Sequence, residues 1–186
     1  MRAALVEAAE RVLERAGVAG LTVRAVAAEA GVAPMGVYNH LQNKEGLLAA
    51  VLSRGFDRLA QAMAWRADLP ARDAMREVGW AYRSFALEHP VGYGLMFGAG
   101  VWLPAAADQV GAHADLSFDG LVHAILASQQ AGTIRRGPAQ PIAMTIWAAV
   151  HGAVSIEVAG SFTDGGGDAA YSAVLDLIER GMAPDN

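Results

Sequence analysis

Few residues of this 186-residue chain have types and spacings that suit chemistry. Asp115, Asp119 and His123 recur every fourth position, so a helix would place them on one face. Two carboxylates and an imidazole suit a divalent ion, but tight binding needs ligands converging from a second element. A solvated or salt-bridged face competes with that reading. The run TDGGGD (163–168) is glycine-rich, yet it lacks the lysine and the helix of a phosphate loop and reads as a connector. His151 has three candidate roles: a core histidine on a backbone carbonyl, a contact to a bound ligand, or a metal ligand. No serine–histidine–aspartate motif of recognisable type occurs, and the chain has no cysteine, hence no disulfide, thiolate nucleophile or cysteine metal site. No enzyme, cofactor or metal is expected. What remains is a stretch of hydrogen-bonding and cationic side chains, Thr22, Arg24, Tyr38, Asn39, His40 and Lys44. No acidic residue lies between Glu29 and Glu45, so the tip of this stretch, residues 30–44, carries no charge that repels a polyanion.

Helices must position these groups. Alanine and leucine dominate, alternation of β-branched residues is scarce, and breaks fall at Gly and Pro. Leu5, Ala8, Ala9, Val12, Leu13 and Ala16 give a 3.6-residue stripe over 2–16, ended by Gly17. Thr22 is a candidate N-cap for a short helix over 23–29. Gly31 supplies a tight turn, and Pro34 opens another short helix over 34–40. Asn43 caps a long helix over 44–67, stopped by Pro70. Further helices are expected over 71–88, 91–97, about 108–130, 139–160 and 168–181, with a loop at 98–107. The fold class is all-α, with about nine helices.

Two short helices around a Gly-containing turn form a helix-turn-helix, whose second helix enters the major groove. Leu21, Val26, Val32, Val37, Leu41 and Leu47 would be its small core. Charge agrees with a division of labour. Residues 1–66 hold eight Lys/Arg and six Asp/Glu, residues 67–186 six and thirteen, for balances of +2 and −7 that sum to the net −5. A mildly basic third precedes an acidic remainder.

The run TVRAVAAEAGVAPMGVYNHLQNKEGLL resembles the signature of the TetR family of transcriptional regulators: the Thr opening the second helix, the Ala-Gly-Val turn, the Tyr-x-His pair, and the Asn-Lys-Glu-x-Leu that starts the fourth helix. The resemblance implies a role for each matching position. Thr22 would cap helix two and meet a phosphate, Tyr38 and His40 would hydrogen-bond the DNA backbone, and Lys44 would contact phosphate beside a helix N-terminus. Arg24 belongs to the same DNA-facing set. Pro34, Met35, Gly36 and Asn39 would face base edges. Two features depart from the pattern. Met35 stands where small polar residues are common and offers only apolar contact, such as to a thymine methyl. Asn39 can pair with adenine N6/N7 and is the preferred candidate for direct readout, with a phosphate-bonding or solvated side chain as the alternative.

Beyond residue 79 lie Trp80, Phe85, Tyr93, Met96, Phe97, Trp102, Phe118, Met144, Trp147 and His151. Each is an ordinary core residue taken singly; as a set they suit an apolar ligand cavity. The element IWAAVHGAVSIEVAG resembles the Trp-x-x-x-His-Gly element of one subclass of TetR-type C-terminal domains, and HPVGYGLMFGAG and the Ala-Gly-x-Ile-Arg stretch at 131–135 match it too. Met144, Trp147, His151, Val154 and Val158 would share a core or pocket face. Ala148, Gly152, Ser155 and Ala159 form a small-residue stripe; with Tyr171, Val174, Leu175 and Ile178 it is the expected dimer interface. Residues 141–160 are also about long enough to span a bilayer, but His151 and Glu157 would be costly there, so no membrane is expected.

These readings give a helix-turn-helix domain over 1–48 and a ligand-binding and dimerisation domain over 49–186, rigidly coupled by the helix that starts at Lys44. The expected protein is a cytoplasmic homodimeric repressor of a pseudo-palindromic double-stranded DNA operator, released by a small apolar or aromatic effector. An activator of the same family stays open, as does a helical small-molecule-binding protein or enzyme with a vestigial DNA-binding motif.

Overall fold

In the computed structural model, residues 1–98, 106–162 and 165–184 are described. Among them the secondary structure is helical throughout: α1 (Arg2–Gly20), α2 (Val23–Ala30), α3 (Pro34–Leu41), α4 (Lys44–Ala62), α5 (Ala71–Glu88), α6 (Pro90–Phe97), α7 (Ala107–Gln130), α8 (Ala139–Val158) and α9 (Gly166–Gly181). These match the expected elements closely. Trp102 and most of the 98–107 loop lie outside the described residues, as do Thr163 and Asp164 of the glycine-rich connector.

The chain forms two compact units, one of residues 1–58 and 89–116, the other of 59–88 and 117–186. The chain passes from one unit to the other within α4, between α5 and α6, and within α7. These units follow where the backbone packs against itself, whereas the division at residue 48 follows the motif.

In the first unit α1 packs on α2, α3 and α6, and α2 on α3. Leu5, Ala8, Ala9, Val12 and Leu13 of α1 meet Leu21, Val26, Ala27, Val37, Leu41 and Leu47 in one continuous core, with Val32 half-buried at its edge. The helix break expected at Gly17 is present as a kink: Gly17 takes φ 63° and ψ −171°, and a further turn carries α1 to Gly20. That backbone region is open essentially to glycine alone. A Cβ added at Gly17 would meet nothing within 4 Å, so the penalty for a side chain there is one of backbone only. Gly17→Ala is expected to destabilise the protein by about 1–3 kcal/mol, measurable by urea unfolding, and no change would show that the kink relaxes freely.

In the second unit α8 packs on α5 and α9. Ile142, Ala143, Ile146, Val150 and Val154 give α8 its buried face, against a core that includes Val78, Tyr82, Phe85, Leu121, Ile125 and Tyr171. α4 ends at Ala62, shorter than the expected reach to 67. Beyond it the Leu69 N–H donates to the Arg66 carbonyl at 3.2 Å in a turn, with the Arg66 side chain forked onto Asp68 at 2.7 and 2.8 Å. Hydrogen bonding from Arg66 holds the Asp68 carboxyl down at about 2.

Candidate functional site

The head of the first unit is built by alternate use of α3. Val37 and Leu41 point into the core, at 0% and 3% exposure. Pro34 and Met35 before them and Tyr38, Asn39 and His40 between them are exposed, and Gly36 is half-buried. A helix with two anchoring residues one turn apart is thereby fixed in rotation, and the expected DNA-facing row is presented to solvent. Met35, a large apolar side chain, is 65% exposed.

Helix ends surround this row. Thr22 caps α2, its Oγ1 accepting from the Ala25 N–H at 3.1 Å, and the exposed hydroxyl keeps its own proton to donate. Gly31 takes the left-handed conformation (φ 67°, ψ 31°) that closes α2. Asn43 caps α4 through Oδ1, which accepts from the Gly46 N–H at 2.9 Å. Lys44 is the first residue of α4 and is exposed. Between α3 and α4 sits Gln42 at φ 60° and ψ −64°, the one non-glycine residue with positive φ among those described. The Asn43 N–H donates to the Leu41 carbonyl across it at 2.7 Å, the more strained of the two γ-turn forms. Such a conformation costs about 1–3 kcal/mol.

Electrostatics narrows the candidates further. Arg11 and Arg15 hold Glu29 at 2.7 and 3.0 Å, tying α1 to α2, and their hydrogen bonds keep the Glu29 carboxyl below its ordinary value. Arg54 reaches Glu7 and Glu10, and Arg58 reaches Glu10. Burial pushes the Glu10 carboxyl up, against the pull of Arg58 and Arg54. Four cations of the head are thus spent on its own carboxylates. Arg24 and Lys44, like the exposed Arg2 of α1, make no ion pair with described residues and are open to phosphate. Sequence reasoning named both but missed the internal pairing, which joins residues 14 to 48 positions apart.

The proposed ligand residues divide between the units. Tyr93 is buried in the first, its ring 5.0 Å from that of Phe97, and Phe97 meets Phe56 edge-on at 5.7 Å. Met96 is half-buried and its Sδ lies where a Cβ on Gly55 would come within 2.8 Å. Phe56 was not singled out because, in α4, it reads as one more residue of a core stripe. In the second unit Trp80 lies 5.2 Å from Tyr171, Phe85 is buried, and Phe118 is half-buried. Trp147 stacks on His151 at 4.9 Å.

His151 is held by side chains. Its Nδ1 is 2.7 Å from the Tyr82 hydroxyl and its Nε2 is 3.4 Å from the Ser155 hydroxyl. Burial lowers its pKa, favouring neutral imidazole, which accepts at one nitrogen and donates at the other. Asp115, Asp119 and His123 are exposed on α7. Among the described residues no group of three or more His, Cys, Asp or Glu is placed to hold a metal.

Three expected placements need correction. Met144 is 49% exposed. One helical repeat from Ala148, it shares the outward face rather than the pocket face. Tyr171 and Leu175 are 1% and 6% exposed, so they are not on the surface where a dimer interface was expected. The Tyr171 hydroxyl donates to the Gly79 carbonyl at 2.6 Å, and Leu175 packs so tightly on Gly79 that a Cβ there would come within 2.8 Å. An apolar stripe on α9 looks the same in sequence whether a protomer or its copy covers it; the missing side chain at Gly79 decides for the protomer. The outward apolar positions are instead Met144, Ala148, Ala149 and Ile156 (52%) on α8, Ala159 at its C-cap, and Leu177 (62%) on α9, with Gly152, Ser155, Val174 and Ile178 half-buried beside them.

An ion cluster with a buried Arg83–Glu157 pair was not foreseen. Arg83 of α5, 8% exposed, forks onto Glu157 of α8 at 2.6 and 2.7 Å and reaches Asp168 of α9 at 2.6 Å. Its guanidinium also lies over the rings of Trp80 and Tyr171, at 5.4 and 5.6 Å. The Glu157 hydrogen bond raises Arg83 further above its already high pKa. The signal for this cluster was Glu157, a lone acid in an apolar helix.

Comparison with known proteins finds relatives along nearly the whole chain. Residues 5–51 match the family described as bacterial regulatory proteins, tetR family, and residues 75–178 match the tetracyclin repressor-like C-terminal domain. An HTH-type transcriptional regulator of Mycobacterium tuberculosis, Rv0681, is 29% identical over 97% of this chain and 81% of its own length. Among solved structures, a protein of unknown function from Rhodococcus sp. RHA1 is 34% identical with a TM-score of 0.85, over 98% of this chain and 95% of the other. A Rhodococcus protein assigned to the TetR family is 26% identical with a TM-score of 0.78, over 98% of both chains. The chain belongs to the TetR family of bacterial transcriptional regulators.

Proposed function

We propose that the protein is a ligand-responsive one-component repressor. Two copies bind a pseudo-palindromic operator, and a small, mostly apolar effector releases them. The observation that carries the DNA-binding part is the exposed row Pro34, Met35, Tyr38, Asn39 and His40, flanked by Thr22 and by Arg24 and Lys44, which make no ion pair among the described residues. Tyr38, His40, Thr22 and Lys44 position the head on phosphates, while Asn39 and Met35 read base edges. The residues about the start of α4 and onward, 49–186, carry ligand binding and dimerisation.

The dimer is supported by α8. Among the described residues it is the helix long and apolar enough to cross a membrane by length and composition, yet only 28% of its most apolar window is buried. His151 and Glu157 on the same helix bond to Tyr82 and Arg83, so its inner face belongs to a protein core. A second copy is the natural cover for the outer row. Release requires an effector that binds two arrangements of the heads with different affinity. About 1.4 kcal/mol of difference gives only tenfold, so useful switching needs more.

A gel shift on DNA flanking the protein's own gene tests the reading, with His40→Ala and Lys44→Ala as controls. Selective binding by the wild type, weakened in both variants, is expected. Equal, weak binding of all three to any DNA overturns it. Lys44→Ala should also weaken selected and random duplexes alike and flatten the plot of log K against log salt by about 0.9 per protomer. An unchanged slope removes Lys44 from the phosphate contacts.

A further inference from the structure

The junction between α3 and α4 is built unlike an ordinary helix-to-helix turn. Leu41 is 3% exposed, its side chain fixed in the core. Its carbonyl turns toward α4, where it accepts from the Asn43 N–H at 2.7 Å across Gln42, which is held at φ 60° and ψ −64°. The same carbonyl oxygen lies 2.0 Å from where a Cβ on Gly46 would stand, and the carbonyl carbon 3.0 Å. Real Cβ atoms do not approach that closely, and the obstacle is backbone, which cannot swing aside like a side-chain tip. Gly46 therefore admits the Leu41 carbonyl, and the carbonyl's position folds Gln42 into its strained turn. Gly46 also donates its N–H to the cap Asn43, so cap, turn and glycine form one closed unit.

We propose that Gln42 and Gly46 are positioning residues for DNA recognition. Together they set the angle at which the exposed side chains of α3 and the amino end of α4, with Lys44, meet the duplex. This rests on the DNA-binding reading above. The strain at Gln42 is the kind held at functional sites because surrounding structure over-determines it; here the buried Val37 and Leu41 on one side and Leu47 on the other do so. A head with few free charges depends more heavily on correct angles, since undirected attraction to phosphate is weak.

The inference opposes simple helix propensity. Glycine is a poor helix former and alanine the best, so Gly46→Ala in the first turn of α4 would ordinarily stabilise. Here the added methyl forces the junction open. The full chain is compared with Gly46→Ala and Gln42→Gly by thermal unfolding. Binding is measured to a duplex enriched from random DNA by the wild type, and to unselected random duplex. Gly46→Ala is expected to lower Tm by at least about 3 °C and to weaken the selected duplex at least tenfold, with random-duplex binding within about twofold. Gln42→Gly is expected to raise Tm by relieving the positive φ, yet to weaken the selected duplex, because the angle is no longer enforced. A merely structural residue would not separate Tm from selectivity in this way. If Gly46→Ala does not fold, Gln42→Gly carries the test. A Gly46→Ala protein with raised Tm and intact selectivity overturns the proposal, as does a Gln42→Gly protein that keeps full selectivity. A wild type that enriches no sequence overturns the DNA-binding reading itself, and the positioning role with it.

Discussion

Replacing Arg83 by alanine is expected to destabilise the protein by about 3–5 kcal/mol, while Asp168→Asn costs less than about 1 kcal/mol. The contrast follows from where the two acids sit. Asp168 has an 80% exposed side chain, so water takes over when Arg83 is gone. Glu157 has a 13% exposed side chain and both its oxygens on Arg83. Removing the arginine strands a charge that has been taken out of water, and the desolvation cost already met in folding is no longer offset. The loss of packing against Trp80 and Tyr171 adds to it. The double variant Arg83→Met, Glu157→Leu removes both charges and is expected to recover most of the stability. Urea unfolding of the three proteins checks this; a double variant as unstable as Arg83→Ala would mean that packing, not charge, dominates. Gly167 belongs to the same cluster, since a Cβ there would stand 2.0 Å from Glu157 Oε1.

The helices and the head were legible in sequence because local signals there agree with one another. Thr22, Gly31, Pro34 and Asn43 each carry a cap or turn whose chemistry acts within a few residues, and Val37 and Leu41 fix the rotation of α3 by spacing alone. The places where sequence reasoning fell short depend on distant partners. Nothing local says that Tyr171 and Leu175 close on Gly79, 92 positions away in the first case. The pairing of Arg11 and Arg15 with Glu29 is similarly non-local, and it changes which cations are free. The strain at Gln42 is invisible because glutamine has no preference for that conformation. The aromatic set after residue 79 was read as one group because sequence order was the only guide to proximity; Tyr93, Met96 and Phe97 belong to one packing unit and Trp80, Phe85, Phe118, Trp147 and His151 to the other.

If the proposed dimer closes through α8, Ile156→Asp is expected to abolish it and to weaken binding to the proposed operator by about 10²- to 10⁴-fold. Ile156 is 52% exposed on the outward row of α8, with Ala159 beside it on the same face. In a lone protomer an aspartate there would meet water and cost little. In a dimer closed through this row, the two-fold axis would bring two carboxylates into a shared apolar seam. Analytical ultracentrifugation should then show a monomer whose thermal unfolding, extrapolated to low concentration, matches the wild type. The size of the DNA effect follows from linkage. On the proposed reading one head would engage few phosphates, because Arg11, Arg15, Arg54 and Arg58 are occupied by carboxylates of the same chain. Operator affinity then comes from the second head binding at the high effective concentration set by the first, which is worth about 10²–10⁴. A poorly charged head is the design that gains most from this, since a monomer cannot hold on through undirected attraction alone. An Ile156→Asp protein that stays dimeric would move the interface away from this row. One that is monomeric yet binds the operator unchanged would show that a single head suffices.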